Sequence, residues 1–195
     1  MKSLKGSKTA ENLMKSFAGE CQARTRYTYY ASVAKKQGYV QISNIFMETA
    51  EQEKEHAKRF YKFIKDDFAG EAIEITAGFP VDLYDDTLKN LKAAASGENE
   101  EWTDLYPTFA KIADEEGYPE VAAAYRQITK VENRHEIRYN KLAKNIEEDK
   151  VFKKDEVVFW KCNNCGFIYE GDEAPKSCPA CLHPQGYFEV FVENY

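Results

Sequence analysis

Residues 52–60 read QEKEHAKRF, and within them Glu53 and His56 stand three apart. Taken alone, the stretch describes a solvated helix. Its flanks change that reading. Ile42, Phe46, Thr49, Glu53, His56, Phe60 and Phe63 recur at alternating steps of four and three, the spacing by which a helix turns one stripe toward a core. A carboxylate and an imidazole therefore occupy the middle of an apolar face.

The pattern recurs downstream. Val121, Tyr125, Ile128, Glu132, His135, Tyr139, Leu142 and Ile146 form a second stripe with the same interruption, and this second E-x-x-H follows the first by 79 positions. Tyr27 and Tyr106 are separated by the same interval. Two further helical patterns carry acidic interruptions. Glu20 falls among Leu13, Phe17, Ala23, Tyr27 and Tyr30, and Glu98 and Glu101 fall among Leu91, Ala94, Leu105 and Ile112. The acidic positions lie near the midpoints of their helices, so an assembled bundle gathers them at one level. The chain reads as a duplicated helical hairpin.

Four helices are expected, over about 8–37, 41–67, 86–116 and 119–148. The third is interrupted at Gly97, Gly38 and Gly117 act as stops, and Pro119 lies in the first turn of the last. Short turns make the first and second helices antiparallel, and likewise the third and fourth. The 68–85 connection is long enough to run the length of a helix. Two hairpins joined by one long crossover give a mainly α, ferritin-like four-helix bundle over 1–148. Residues 149–157 read as a charged linker. Residues 158–195 read as a small β-rich metal domain, with strand-like pieces at 157–160 and 187–192.

Burying unpaired carboxylates costs several kcal/mol each, and Glu20, Glu53, Glu98, Glu101 and Glu132 would also repel one another. Two cations remove both penalties. A glutamate from each of two helices plus E-x-x-H from each of the other two is the di-metal carboxylate arrangement, and its imidazole and carboxylate donors suit iron or manganese. In the tail, Cys162-Asn-Asn-Cys165 and Cys178-Pro-Ala-Cys181 are two C-x-x-C knuckles that fix four thiolates around zinc or a single iron. His183 follows a filled site and reads as a surface residue. Cys21, beside Glu20, turns away from the metals in helical phase.

A net charge of −6 with interspersed signs argues against nucleic-acid binding or attraction to an anionic membrane. No apolar run approaches a membrane span, and the N-terminus lacks the apolar core of a secretory signal, so a cytoplasmic location with reduced or metal-bound cysteines is expected.

The stretches FAGECQAR around Glu20, ETAEQEKEHAKRF around Glu53 and His56, SGENEEWTDLYP around Glu98 and Glu101, VENRHE around Glu132 and His135, and CNNCGFIYEG with CPAC in the tail resemble the rubrerythrin family along essentially the whole chain. The resemblance implies two non-haem irons in the bundle and one iron in a rubredoxin-like tail. It implies that Glu53 and Glu132 bridge the pair and that Glu20 and Glu98 are terminal ligands. His135 would stay on one iron, while the other exchanges Glu101 for His56 on reduction. Tyr27 and Tyr106 are expected to donate hydrogen bonds to the carboxylates. The implied activity is a peroxidase of oxidative-stress defence that reduces hydrogen peroxide to water. Electrons would pass through the tail iron from an external NAD(P)H-linked reductase or rubredoxin, in a homodimer or larger homo-oligomer. The competing expectation is a ferroxidase or iron-handling protein, against which the electron-carrying tail counts.

Overall fold

The computed structural model describes residues 2–195. Ser7 starts the first helix by accepting from the Ala10 amide, and α1 then runs Lys8–Lys36. Gly38, at φ 83°, lets the chain reverse after α1, and the Tyr39 amide closes the turn on Ala34 O at 2.9 Å. Helix α2, Val40–Phe68, returns alongside α1. Asp86 caps the next helix through the Lys89 amide, and α3 covers Thr87–Glu100. A π-turn over Glu101–Leu105 leads into α4, Tyr106–Glu115. Gly117 repeats the role of Gly38, and α5, Pro119–Glu147, pairs with α3 and α4.

The third leg departs from the expected pattern. Gly97 lies inside α3, and the irregularity comes later, where the Tyr106 amide reaches back to Glu101 O and inserts one extra residue into the helix. Pro107, which lacks an amide proton, then sits in the first turn of α4, where no proton is needed. The insertion shifts the buried stripe by one position. Leu105 and Ile112 are only half-buried, and Tyr106, Ala110 and Ala113 face the core instead.

The duplication is visible in detail. Thr9, Asn12, Leu13 and Glu20 are each matched 78 positions later by Thr87, Asn90, Leu91 and Glu98, whereas Tyr27, Ala31, Ala34 and Gly38 find counterparts 79 positions later. The π-turn supplies the difference. The turns also clasp each other reciprocally. Thr9 donates its amide and hydroxyl to Glu116 in the second hairpin's turn, and Thr87 donates the same two groups to Gln37 in the first.

Two apolar clusters fill the bundle. Tyr27, Tyr30, Phe46, Leu91 and Tyr139 anchor one, and Leu13, Phe60, Ile64, Val121 and Tyr125 anchor the other. The acidic and histidine positions form a layer between them. The crossover, residues 69–86, is pinned where Asp82 meets Arg26 and Tyr30, and where the Asn90 side chain bonds both N and O of Tyr84.

The tail is a three-stranded antiparallel sheet in the order β2-β1-β3: β1 Lys153–Cys162, β2 Ile168–Glu173 and β3 Phe188–Val190. Strand β1 thus begins inside the stretch read as a linker, and the end of the expected 187–192 strand belongs to no element. Trp160 and Phe188 are buried at the centre of the tail. The tail seats on the α1–α2 turn, where Tyr39 and Phe152 rings stack and Gly186 lies against the Gly38 carbonyl.

Candidate metal centre

The E-x-x-H spacing brings each pair together on its own helix. His56 Nδ1 lies 2.9 Å from Glu53 Oε2, and His135 Nδ1 lies 2.9 Å from Glu132 Oε2. Packing of the two hairpins then completes two cages. His56 Nδ1 is also 2.9 Å from Glu132 Oε1 and 3.8 Å from Glu20 Oε1. His135 Nδ1 is 3.1 Å from Glu53 Oε1 and 3.4 Å from Glu98 Oε2. Glu20, Glu53, His56 and Glu132 form one group of converging donors, and Glu53, Glu98, Glu132 and His135 form the other. Glu53 and Glu132 belong to both. Each hairpin supplies three donors to one cage and lends a single carboxylate to its neighbour.

The donor set fits two cations. Glu20 Oε2, Glu53 Oε1, Glu98 Oε2, both oxygens of Glu132 and His135 Nδ1 are buried without a hydrogen-bond partner. Leaving so many buried polar atoms unpaired is costly unless something positive sits among them. Three oxygens and one imidazole nitrogen per cage are suitable ligands for iron.

Without cations, protons would compensate the charge of the cages. Burial, and then the charge on Glu53, pushes the Glu20 carboxyl well above the usual range, and the same causes raise Glu98 to about 8. Burial also works against ionised Glu53, but the adjoining His135 and His56 imidazoles prevail and hold it at about 2. Burial disfavours both imidazolium ions, yet the surrounding carboxylates lift His56 to about 10 and His135 to about 12. A cation entering the cage must displace these protons.

The second layer is equally specific. The Tyr27 hydroxyl donates to Glu98 Oε1 at 2.5 Å, and the Tyr106 hydroxyl donates to Glu20 Oε1 at 2.6 Å. These are the related tyrosines of the duplication. Gln52 was not anticipated from the sequence. Its Oε1 lies 2.9 Å from His135 Nε2, so an Nε2–H donating there leaves Nδ1 free to ligate. His56 has no such partner among the described residues. Glu101 stands outside both groups, half-buried at the start of the π-turn, and burial followed by the charge on Glu98 raises its carboxyl. Cys21 is exposed, as its helical phase requires.

In the tail, Cys162 Sγ and Cys181 Sγ are 3.8 Å apart, and Cys165 Sγ and Cys178 Sγ are 3.7 Å apart. A tetrahedron with metal–sulfur bonds of about 2.3 Å has edges of about 3.8 Å, so the four thiolates match one ion. The knuckles mirror each other. Gly166 N bonds Cys162 O, Leu182 N bonds Cys178 O, and Gly166 and Leu182 both adopt positive φ. The backbone of His183 stabilises the Cys181 thiolate and brings it down to about 6. The His183 ring is half-buried against Tyr187 rather than free at the surface.

Residues 11–143 match the family model described as rubrerythrin, and residues 160–189 match that of the rubrerythrin rubredoxin-like domain. A rubrerythrin of Clostridium perfringens is 74% identical over all of both chains. Rubrerythrin-1 of Clostridium acetobutylicum is 68% identical, again over the whole of both. Among solved structures, fully reduced, all-ferrous nigerythrin superposes with a TM-score of 0.64 at 31% identity, covering 96% of this chain and 91% of the other.

Proposed function

The chain belongs to the rubrerythrin family, an oxidoreductase family with a two-iron bundle and a rubredoxin-type tail iron, and from that premise we propose that it reduces hydrogen peroxide to water. The observation that carries this reading is the presence, in one chain, of a paired cage with two shared carboxylates and a separate four-thiolate site. An iron-storing shell has no use for the second. When bound, the paired irons supply Lewis acidity and electrons, and the tail iron carries electrons one at a time.

The residues of the chain divide the remaining work. Glu53 and Glu132, which belong to both donor groups, would help to hold both cations. Tyr27 and Tyr106 keep Glu98 and Glu20 aimed inward. Gln52 holds His135 in one orientation, whereas nothing comparable restrains His56 among the described residues, and Glu101 stands beside the cage as a rival donor. That asymmetry suits one fixed and one exchangeable ligand position. The aromatic clusters above and below the layer exclude water.

The tail of the same chain docks at the α1–α2 turn, and Glu53 lies about 20 Å further along α2 at 1.5 Å per residue. This supports electron delivery from the tail of a second subunit in a homodimer, with an external NAD(P)H-linked reductase or rubredoxin upstream.

The test is a stopped-flow experiment. The protein is reduced anaerobically and mixed with one equivalent of hydrogen peroxide per bundle, and the visible band of the ferric four-thiolate site is followed. Return of the band within milliseconds to seconds is the expected result. Return on the timescale of minutes points to ferrous-iron oxidation instead.

A further inference from the structure

Between α1, the π-turn and the crossover lies a cavity of about 410 Å³. Residues 76–80 of the crossover line it, and so do Gly19 and Gly97, at which no side chain intrudes. Glu101 and Tyr106 also line it, and the Tyr106 hydroxyl bonds Glu20 of the cage. The cavity therefore adjoins the metal layer at the one donor, Glu101, that stands outside both cages.

The crossover is held in place. The Arg26 guanidinium donates to both oxygens of Asp82 at 2.8 Å, and the Tyr30 hydroxyl donates to Asp82 Oδ1 at 2.7 Å. Arg26 is itself a wall of the cavity and passes 3.7 Å from where a Gly97 side chain would begin. The edge of Phe79 comes within 3.9 Å of the corresponding point on Gly19. One strap of chain is thus anchored across two side-chain-free positions on the Glu101 side of the metal layer.

The volume exceeds what hydrogen peroxide needs. A water molecule takes about 30 Å³ in the liquid, and two oxygens take roughly twice that. Phe79, Pro80, Leu105 and Phe109 give the remaining space apolar walls. We propose that this cavity is the substrate chamber of the cage and that it admits small alkyl hydroperoxides as well as hydrogen peroxide. The peroxy end lies toward Glu101 and the alkyl group against Phe79, Leu105 and Phe109. The O–O bond breaks, one oxygen leaves in the alcohol and the other as water, two electrons come from the ferrous pair and two protons come from solvent. The proposal rests on the peroxidase reading above.

The experiment compares hydrogen peroxide with tert-butyl hydroperoxide on the reduced holoprotein, for the wild type, Gly97→Leu and Phe79→Ala, each checked for iron content and helicity. Wild type is expected to turn over both. Gly97→Leu fills the chamber and is expected to lose about tenfold or more in kcat/KM for tert-butyl hydroperoxide while staying within about threefold for hydrogen peroxide, the scale of discrimination that steric fit provides. Phe79→Ala, on the strap and away from the ligands, is expected to raise the relative rate with the larger cumene hydroperoxide. Crystals of the oxidised holoprotein soaked in tert-butanol give a readout independent of turnover, with density beneath the crossover in wild type and none in Gly97→Leu. Turnover of hydrogen peroxide alone, equal losses for both substrates in Gly97→Leu, or no density in wild type would each overturn the chamber and leave the peroxidase reading standing. If neither peroxide is consumed, the peroxidase reading fails and the chamber proposal falls with it.

Discussion

Glu53 is a donor in both cages, so Glu53→Ala is expected to empty the bundle of both irons, abolish peroxide consumption and leave the visible band of the tail iron intact. Metal analysis with absorbance spectra checks this. Tyr27→Phe removes the hydroxyl bonded to Glu98, whose carboxyl is held protonated near neutral pH without metal, and should cost the metal-free protein about 0.5–1.5 kcal/mol in denaturant unfolding, the range for an uncharged hydrogen bond. The imidazoles set a pH dependence. His56 binds its proton more tightly in the folded, metal-free chain, at about 10, than at its ordinary value of 6.5. The stability this contributes is complete below pH 6.5 and is lost as pH rises toward 10. Melting of the metal-free protein should therefore shift downward across that window, while the iron-loaded protein, whose ligating imidazoles are neutral, should show no such shift. The six side chains that converge in the two cages were legible in the sequence, because a carboxylate at the centre of an apolar stripe is too costly to bury without a counter-charge. Glu101, expected among them, stands outside both groups. Gln52 was not legible. Its role depends on which side of α2 faces α5, and its neighbours along the helix do not reveal that.

At the scale of elements, the π-turn is the feature that distinguishes the third leg from the first. It puts Glu98 and Tyr106 into the same relation to the core as Glu20 and Tyr27, although one more residue separates them, and it leaves Glu101 at the edge of the cage. Trp102, inside the turn, donates its indole N–H to Glu136 Oε2 at 2.5 Å, and Asn99 reaches the same oxygen at 3.2 Å. This tie holds the turn against α5. Trp102→Phe is expected to lower unfolding stability by about 1.5–3 kcal/mol, as for other hydrogen bonds to charge. Because the tie also sets where Glu101 lies, the variant should change the rate of peroxide consumption without loss of bundle iron, which single-turnover kinetics and metal analysis can separate. The apolar stripe alone does not disclose the turn, although the change of repeat offset from 78 to 79 positions between Glu98 and Tyr106 marks it. Leu105 and Ile112 continue the apolar period as plausibly as Tyr106, Ala110 and Ala113 do, and periodicity does not register a single inserted residue. Helix number, the hairpin turns at Gly38 and Gly117 and the long crossover were all legible, since glycine stops and stripe phase mark them directly.

For the whole molecule, Gly186 decides how the tail meets the bundle. A Cβ there would fall 2.1 Å from the Gly38 carbonyl oxygen, a backbone atom with little freedom to retreat. Gly186→Ala should leave the tail iron's spectrum unchanged yet release the tail from the α1–α2 turn, seen as faster proteolysis near residues 149–157 and a larger radius of gyration by small-angle scattering. An unchanged scattering curve would contradict this account of the docking. The exchange of carboxylates between hairpins has a consequence for assembly. Neither half of the duplicated chain owns a complete cage of donors, so a cation held in either cage would tie the halves together and its binding energy would become association energy. Cut within the crossover and expressed as two peptides, the bundle would behave as a metal-dependent heterodimer: separate in a chelator, joined in ferrous iron, with an affinity that tracks the free metal concentration.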